Sequence, residues 1–400
     1  MQRSPGPVRH ARRGSPARSA ARSVLRVIAI GVAVLVASTA SLAAIFVHSL
    51  DATVASNSIA LHAPHPEPPQ PLGGAFNVLL VGADNAPKQH GFGAARQSTQ
   101  NDVDILLHVP ADHRSAVILS MPRDLMVEHP ACVASNGTKV PDGGEQPLNV
   151  DLDRGGLGCV VTTVEHLTGL SIPYAAQFSF QGTIAMADAV GGVPVCTNKA
   201  IDDPDSGLRL PKGRSVISGR TALAYLRDRH GIGDGSDLSR ISSQQAYMSS
   251  LLRQSVSADT FSNPARLIAL ATAVARNVSL STSMSKPDVL VGMMVAVLHI
   301  PLHSIALVQL PTEPYAPNPN KVVPAPALTA VLLHHLQDDT PVVLAAGTHG
   351  FATSVSGGGT THHASSTPKP TASTRHHSSG ISGLNGQNAD QSSCSVAAVG

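Results

Sequence analysis

The 400-residue chain contains no tryptophan and only seven phenylalanines and four tyrosines. Readers of single-stranded nucleic acid stack their ligands on aromatic platforms, and so sparse a supply excludes a surface of that kind. The net charge of +2 conceals a shortage of positive charge over most of the sequence. Seven arginines (Arg3, Arg9, Arg12, Arg13, Arg18, Arg22 and Arg26) stand in the first 26 residues without one acid, so the remainder carries 21 basic against 26 acidic side chains. A generally nucleic-acid-binding face is excluded on that ground as well. There are four cysteines, with no C-x-x-C pair and no zinc-ligand spacing, which removes a redox motif and a structural zinc site. G-x-S-x-G, H-E-x-x-H and Walker A patterns are absent, and Gly231-Ile-Gly233-Asp-Gly235 is no dinucleotide fingerprint because its third glycine is misplaced and no strand precedes it.

What the chain does contain begins with an address. Residues 27–47 are 21 consecutive residues without a charge, roughly 31 Å long as a helix against a bilayer core of about 30 Å. Arginines precede the run and the first acid after it is Asp51. The positive-inside rule then gives a cytoplasmic tail over 1–26, a transmembrane helix over 27–47 and an extracytoplasmic remainder. A cleaved signal peptide is the alternative, given the alanines and serines from Ala37 to Ala44. Either address permits disulfides. Cys132 with Cys159 is the favoured pair because their loops are closest in sequence, which leaves Cys196 and Cys394 to pair or stay free.

Residues 48–74, with prolines at 64, 66, 68, 69 and 71, read as an extended stalk. A globular domain follows over 75–345. Apolar runs at 76–81, 104–109 and 116–120 read as buried strands, the last two joined tightly enough for a hairpin. Helical periodicity marks 160–168, 182–190, 219–228, 238–254, 263–278, 287–298 and 325–336, with further strands at 192–196 and 304–310 interleaved. This order predicts an α/β fold, a mixed central sheet covered by helices on both faces and preceded by one transmembrane helix. Residues 346–400, rich in Gly, Ser, Thr and His, read as a disordered tail. Its pairs His362-His363 and His376-His377 read as solvated linker before metal ligands, and the stretch ending in Cys394 is a candidate for docking on the domain.

Polar residues at the ends of buried strands are the informative exceptions. Asp84 follows the first strand and Asp102 precedes the second, so an antiparallel pairing puts both carboxylates at one edge of the sheet. Two carboxylates suit Mg²⁺, which completes its octahedron with waters and phosphate oxygens; a turn cap and a strand start account for them equally. Arg123 beside Asp124 is either a local ion pair or an anion ligand. Arg227, Arg229, Arg240 and Gln244 form a second group, with Arg240 and Gln244 four apart on one helix face. Guanidinium forks match phosphate oxygens, so a phosphate-rich ligand and a solvated charged helix end both stand open here.

Taken together these residues resemble the LytR-CpsA-Psr family. The likeness runs from about Phe76 to Leu310 and rests on Asn77-Val-Leu-Leu-Val-Gly-Ala-Asp84, Asn101-Asp102, Ser120-Met-Pro-Arg-Asp124, Pro147-Leu-Asn149, Thr163-Val-Glu-His-Leu-Thr-Gly169, Asp188-Ala-Val-Gly-Gly-Val193, Gly219-Arg-Thr-Ala-Leu-Ala-Tyr-Leu-Arg-Asp-Arg229 and Asp237-Leu-Ser-Arg240 with Gln244-Gln245, in the family's order. The resemblance implies a membrane-anchored phosphotransferase that moves a glycopolymer from a polyprenyl pyrophosphate carrier to peptidoglycan during cell-wall assembly. By the same likeness Asp84 and Asp102 match magnesium-binding carboxylates, Arg123, Arg227, Arg229, Arg240 and Gln244 match groups around the pyrophosphate, and Asp124 matches a carboxylate that orients the first arginine. Where the family usually has hydroxyl residues on either side of the second aspartate, this chain has Asn101 and Val103. A carrier tail also needs an apolar groove, expected from helix residues within 160–190 or 251–298. Two rivals use the same residues: a polyprenyl pyrophosphate hydrolase, and a tethered binder of lipid-linked polymer without turnover.

Overall fold

The computed structural model describes residues 16–61, 73–84, 98–256, 263–345, 348–350, 352–355 and 380–398. Two compact units divide the chain, residues 1–52 and 53–400. Helix α1 (Pro16–Ser56), most of which lies in the first, carries apolar side chains from Ile28 to Val47 that are 54–66% exposed. The side chains of 16–27, 39, 40, 42 and 43 lie outside the described residues, and so does part of the expected span over 27–47. Among the described residues no helix is long and apolar enough to cross a membrane.

The second unit is built on strands β1 (Phe76–Ala83), β2 (Asn101–Val109), β3 (Ala116–Met121), β4 (Tyr174–Phe178), β5 (Val193–Thr197), β6 (Ile201–Asp203), β7 (Leu208–Leu210), β8 (Gly213–Ile217), β9 (Val278–Leu280), β10 (Ile305–Gln309), β11 (Thr353–Val355), β12 (Gly386–Asn388) and β13 (Ser393–Ser395). Seven of them form a mixed sheet in the order β9-β4-β1-β2-β3-β10-β12. Strand β4 is parallel to β1 and β10 to β3, while the remaining neighbours are antiparallel. The unit's longer helices are α2 (Leu157–Thr168), α3 (Phe180–Ala189), α4 (Gly219–Arg227), α5 (Asp237–Ser255), α6 (Pro264–Asn277), α7 (Pro287–Leu298) and α8 (Pro326–Gln337).

Period-two alternation in the central strands divides their side chains between two cores. Leu79, Val81, Leu106 and Leu119 pack with Val160 and Val164 of α2 and Leu332 of α8. On the opposite face Val78, Ile105 and Ile118 pack with Met248 of α5 and Met293 of α7. The expected α/β architecture with helices on both faces is therefore the one observed. Helix α2 stops where Gly169 takes φ 69°, a left-handed turn whose N–H closes onto Glu165 O at 2.8 Å.

Two boundaries differ from expectation. Residues 48–56 continue α1 instead of opening a stalk, because the prolines that end helical structure come only from Pro64 onward. Residues 62–72, the proline-rich part, lie outside the described residues, and before them Ile59 pairs beside β9, donating to Leu280 O at 2.8 Å. The tail over 346–400 is not uniformly disordered either. Strand β12 closes one edge of the main sheet, and β11 and β13 join β5 and β8 in a second sheet ordered β8-β5-β13-β11. Apolar tail residues (Ala352, Leu384, Ala389 and Ala397) enter the cores, and polar contacts add to their hold: the Gln387 amide donates to Ser249 Oγ at 2.5 Å, and Arg253 donates to Ala389 O and Gln391 O at 2.7 Å each. Small polar residues of this kind look like linker when read by composition alone. Both histidine pairs fall outside the described residues.

Disulfides Cys132–Cys159 and Cys196–Cys394 are formed. The first is the pair that sequence proximity favours. The second ties the tail to β5 and resolves the alternatives left open for Cys196 and Cys394.

Candidate active site

The site grows from an irregularity in one strand pair. In the β1–β2 ladder Val81 faces Asp104, Gly82 faces Val103 and Ala83 faces Asn101, so Asp102 is an extra residue, a β-bulge. A bulge breaks alternation and re-aims one side chain. Here it turns Asp102 and Val103 toward the same cavity, while Asn101 enters the opposite core fully buried. The Asn101 amide donates to both oxygens of Asp104, at 2.9 and 2.8 Å, and to Leu148 O at 3.0 Å. Burial pushes the Asp104 carboxyl well above its usual range against the Asn101 bond, with Asp151, Asp102 and Asp237 adding to the rise. Asn101 thus satisfies a buried carboxyl group.

Asp84 lies at the same end of this ladder, as the antiparallel reading requires. Its Oδ1 accepts the Gln100 N–H at 2.8 Å and its own N–H donates to Gln100 O at 3.0 Å, so it also ties the end of β1 to the start of β2.

The arginines converge beside Asp102. Arg123, just beyond β3, donates from Nη1 to Asp102 Oδ1 at 2.6 Å, and its Nε lies 3.4 Å from Asp124 Oδ2 and 3.7 Å from Asp237 Oδ1. Burial alone would lower the Arg123 pKa; the bond and charge of Asp102, followed by Asp124 and Asp237, raise it. Arg240, buried on α5, pairs with Asp237 one turn earlier and donates to the Asp102 carbonyl at 3.0 Å. Burial lowers the Arg229 pKa, and the charges of Arg240 and Arg123 lower it further. Three guanidinium groups close enough to oppose one another make a site whose repulsion an anion relieves. Asp124 is bonded to Lys321, and with Arg123, Lys321 and Arg229 around it the carboxyl sits below its ordinary pKa despite burial.

Arg227 and Gln244 stand slightly apart from this cluster. The Arg227 guanidinium lies 4.6 Å above the Phe180 ring, a cation–π contact. The Gln244 amide donates to Leu226 O at 3.1 Å and so ties α5 to α4. Both line a cavity of about 230 Å³ together with Asp102 and Arg240. The rest of its wall is largely apolar: Leu80, Val103 and Ile105 from the sheet, Phe180 and Met186 from α3, Leu223 and Leu226 from α4, and Tyr247, Met248 and Leu251 from α5, with Ser179 and Thr183 as polar members. Of the ranges expected to line an apolar groove, 160–190 supplies Phe180 and Met186 and 251–298 supplies Leu251, while the sheet, α4 and the α5 residues Tyr247 and Met248 lie outside both. Helix α2 serves the opposite core instead.

Two residues of the charged cluster carry no role from the sequence reading, although Asp237 stands in the Asp237-Leu-Ser-Arg240 motif. Asp237, in the first turn of α5, accepts the Arg123 backbone N–H on Oδ2 at 3.2 Å as well as pairing with Arg240. Its i,i+3 spacing from Arg240 is the signal that could have found it. Lys321 stands 197 positions from Asp124, and no local pattern announces it.

The LytR_cpsA_psr family model matches residues 46–325. Among curated relatives, the cell wall biosynthesis protein LcpA of Corynebacterium glutamicum is 35% identical over 231 residues, covering 51% of this chain and 44% of LcpA. The polyisoprenyl-teichoic acid–peptidoglycan teichoic acid transferase TagT of Bacillus subtilis is 27% identical over 189 residues, 46% of this chain and 53% of TagT. The chain spans about half the length of these curated relatives. Among solved structures, TagT bound to LIIa-WTA superposes with a TM-score of 0.54 at 21% identity, covering 70% of this chain and 98% of that one. The LytR-Csp2A-Psr enzyme from Actinomyces oris gives 0.53 at 22% identity, covering 70% and 94%. These likenesses show a shared fold, and the family model, matched over well more than half of the sequence, shows the lineage: the chain belongs to the LytR_cpsA_psr family.

Proposed function

We propose that the protein is a membrane-anchored phosphotransferase that moves a glycopolymer from a polyprenyl pyrophosphate carrier onto peptidoglycan. One observation carries this reading: Asp102 and Arg240, with Arg227 and Gln244, line a largely apolar cavity, and Arg123 and Arg229 gather about the same Asp102 and Arg240. A polyprenyl pyrophosphate has the same two parts, a charged head and a hydrocarbon tail. The transferase name of the Bacillus subtilis relative supports the reaction class.

A sugar hydroxyl of the acceptor would attack the phosphorus that bears the glycopolymer. A new P–O bond forms, the bridging P–O bond breaks, and polyprenyl phosphate departs with the bonding electrons, while Asp102 or Asp84 takes the hydroxyl proton. Arg123, Arg229 and Arg240 would hold the pyrophosphate oxygens and stabilise the charge that develops on the leaving bridge oxygen. Arg227, braced on Phe180, would steer the head group at the cavity mouth, and Asp124 with Lys321 would keep Arg123 oriented. Asp84 and Asp102 would hold Mg²⁺; their hard oxygen donors at one end of a single ladder fit that ion, which when bound supplies further charge neutralisation. Residues 27–47, free of charge and preceded by seven arginines, would anchor the molecule with its N-terminus in the cytoplasm.

The test is product analysis with the full chain in detergent, a polyprenyl pyrophosphate glycan, Mg²⁺ and peptidoglycan fragments. Glycan attached to the acceptor supports transfer. Free glycan phosphate in equal yield with and without acceptor supports the hydrolase instead, and retention of intact lipid supports the tethered binder.

A further inference from the structure

Helix α7 buries one face and leaves the opposite face apolar. Val289, Met293, Ala296 and Val297 pack into a core against the main sheet. Facing away from them, Val291, Met294 and Val295 are 47–53% exposed. From Val289 to Leu298 there is no charged residue and no Ser, Thr, Asn, Gln or His. A surface helix in water turns polar side chains outward, so a helix that is apolar all round fits an apolar surrounding on both sides. Helix α6 repeats the pattern: Leu267 and Ile268 are exposed, with Ala271 on the same face.

Two observations indicate what covers these faces. The first is where the chain enters the second unit. The Asn57 amide donates to Ala275 O on α6 at 3.1 Å. Ile59 donates to Leu280 O at 2.8 Å and accepts the Thr282 N–H at 2.9 Å. The residues that follow the uncharged run over 27–47 therefore dock on the end of α6 and on the connection from α6 to α7. Ten residues lead from Val47 to Asn57, about 15 Å as helix, so a run held in a bilayer keeps this docking point near the bilayer surface. The second observation is charge. Residues 264–299 hold Arg266, Arg276 and Lys286 against a single acid, Asp288, although residues 27–400 as a whole carry 21 basic and 26 acidic side chains. Exposed apolar side chains flanked by basic ones match the acyl boundary and the anionic head groups of a phospholipid surface.

We infer that the exposed faces of α6 and α7 rest on the extracytoplasmic surface of the phospholipid bilayer that holds residues 27–47. The inference rests on the anchor reading of those residues and extends it from a tether to a docked orientation. It also bears on how a lipid substrate arrives. Helix α6 packs closely on α3: Ser179 Oγ donates to Asn277 O at 3.4 Å, and a Cβ on Gly182 would lie 2.9 Å from the same oxygen. Phe180 and Met186 of α3 line the apolar cavity. A bilayer against α6 thus stands one helix away from the wall that would receive a hydrocarbon tail.

The chain lacks tryptophan, so a single fluorescent reporter can be introduced. Met294→Trp, Ile268→Trp and Val331→Trp are made one at a time in the full chain, which is reconstituted in vesicles of phosphatidylcholine and phosphatidylglycerol with acyl chains brominated near the head group. Val331 is the comparison: it is exposed on α8, which packs on the opposite face of the main sheet from α7. All three side chains are exposed, so the reporters leave the cores unchanged. Flotation of the chain with the vesicles is measured first. Bromine should then quench the Met294→Trp and Ile268→Trp reporters at least about fivefold more than the Val331→Trp reporter. Chains that float but are quenched equally at the three positions would overturn the docked face and leave the anchor standing. Chains that do not float would overturn the anchor reading and this inference with it. Cross-linking between floated chains through Met294→Cys, without quenching by lipid, would give the face to a second copy and overturn the inference as well.

Discussion

Asp102 and Arg123 are joined by a 2.6 Å charge-assisted hydrogen bond between a bulged strand and the end of its neighbour. Arg123 is also held by Asp124 and, through its backbone, by Asp237. Such a fork works only while its plane is fixed. Arg123→Lys retains the charge but not the bidentate geometry, and should lower kcat about 10²–10³-fold, as loss of one preorganised donor does. Steady-state kinetics on the lipid substrate check this, and a fall of less than threefold would show that Arg123 acts as a point charge only.

The apolar wall of the cavity makes a length-dependent prediction. Thr183 lines it from α3, and Thr183→Phe places a ring where hydrocarbon would lie. KM for carriers of many isoprene units should rise about tenfold or more, the equivalent of roughly two methylene groups kept in water, with little change for carriers of one or two units. An equal effect on both lengths would locate the tail elsewhere.

His108 gives a pH dependence of stability. The ring is 1% exposed and bonded through Nδ1 to Asn77 Oδ1 at 2.8 Å; burial lowers its pKa below 6.5, against the pull of Asp339. The unfolded chain therefore takes up this proton at higher pH than the folded one. Stability from His108 is complete above pH 6.5 and is lost as pH falls from there toward the lowered folded value. Thermal unfolding at pH 7.5 and 5.5 should show a smaller loss of Tm on acidification in His108→Gln than in the parent.

The tail should contribute to stability through one covalent link. The Cys196–Cys394 bond closes a separation of 198 residues, and β13 adds the buried contact between Tyr225 Oη and Ser395 Oγ at 2.6 Å. Cys394→Ser should cost about 2–5 kcal/mol, read as a lowered Tm under non-reducing conditions. An unchanged Tm would mean that the polar contacts to α5 hold the tail alone.

How far the sequence discloses this molecule depends on the range of the interaction concerned. Apolar runs such as Phe76–Val81 and stops such as Gly169 are local, and the elements they mark are present. The common edge for Asp84 and Asp102 is legible because an antiparallel pair of adjacent strands leaves few alternatives. The bulge at Asp102 is not, since nothing in Asn101-Asp-Val-Asp104 says which residue lacks a partner. Lys321 beside Asp124, and Gln387 on Ser249, join residues more than 100 positions apart through polar contacts that leave no periodic trace. The low-complexity stretch before Gly380 further obscures β12 and β13, whose order derives from α5 and Cys196 rather than from their own composition.

The central claim is that the arginine cluster and Asp102 act together on a lipid pyrophosphate. The most direct measurement follows release of polyprenyl phosphate from a polyprenyl pyrophosphate glycan by the full chain in detergent with Mg²⁺, comparing the parent with Asp102→Asn and Arg123→Ala. The account predicts release by the parent and a loss of at least about 100-fold in both variants with folding intact. Release at parental rate by either folded variant would contradict it.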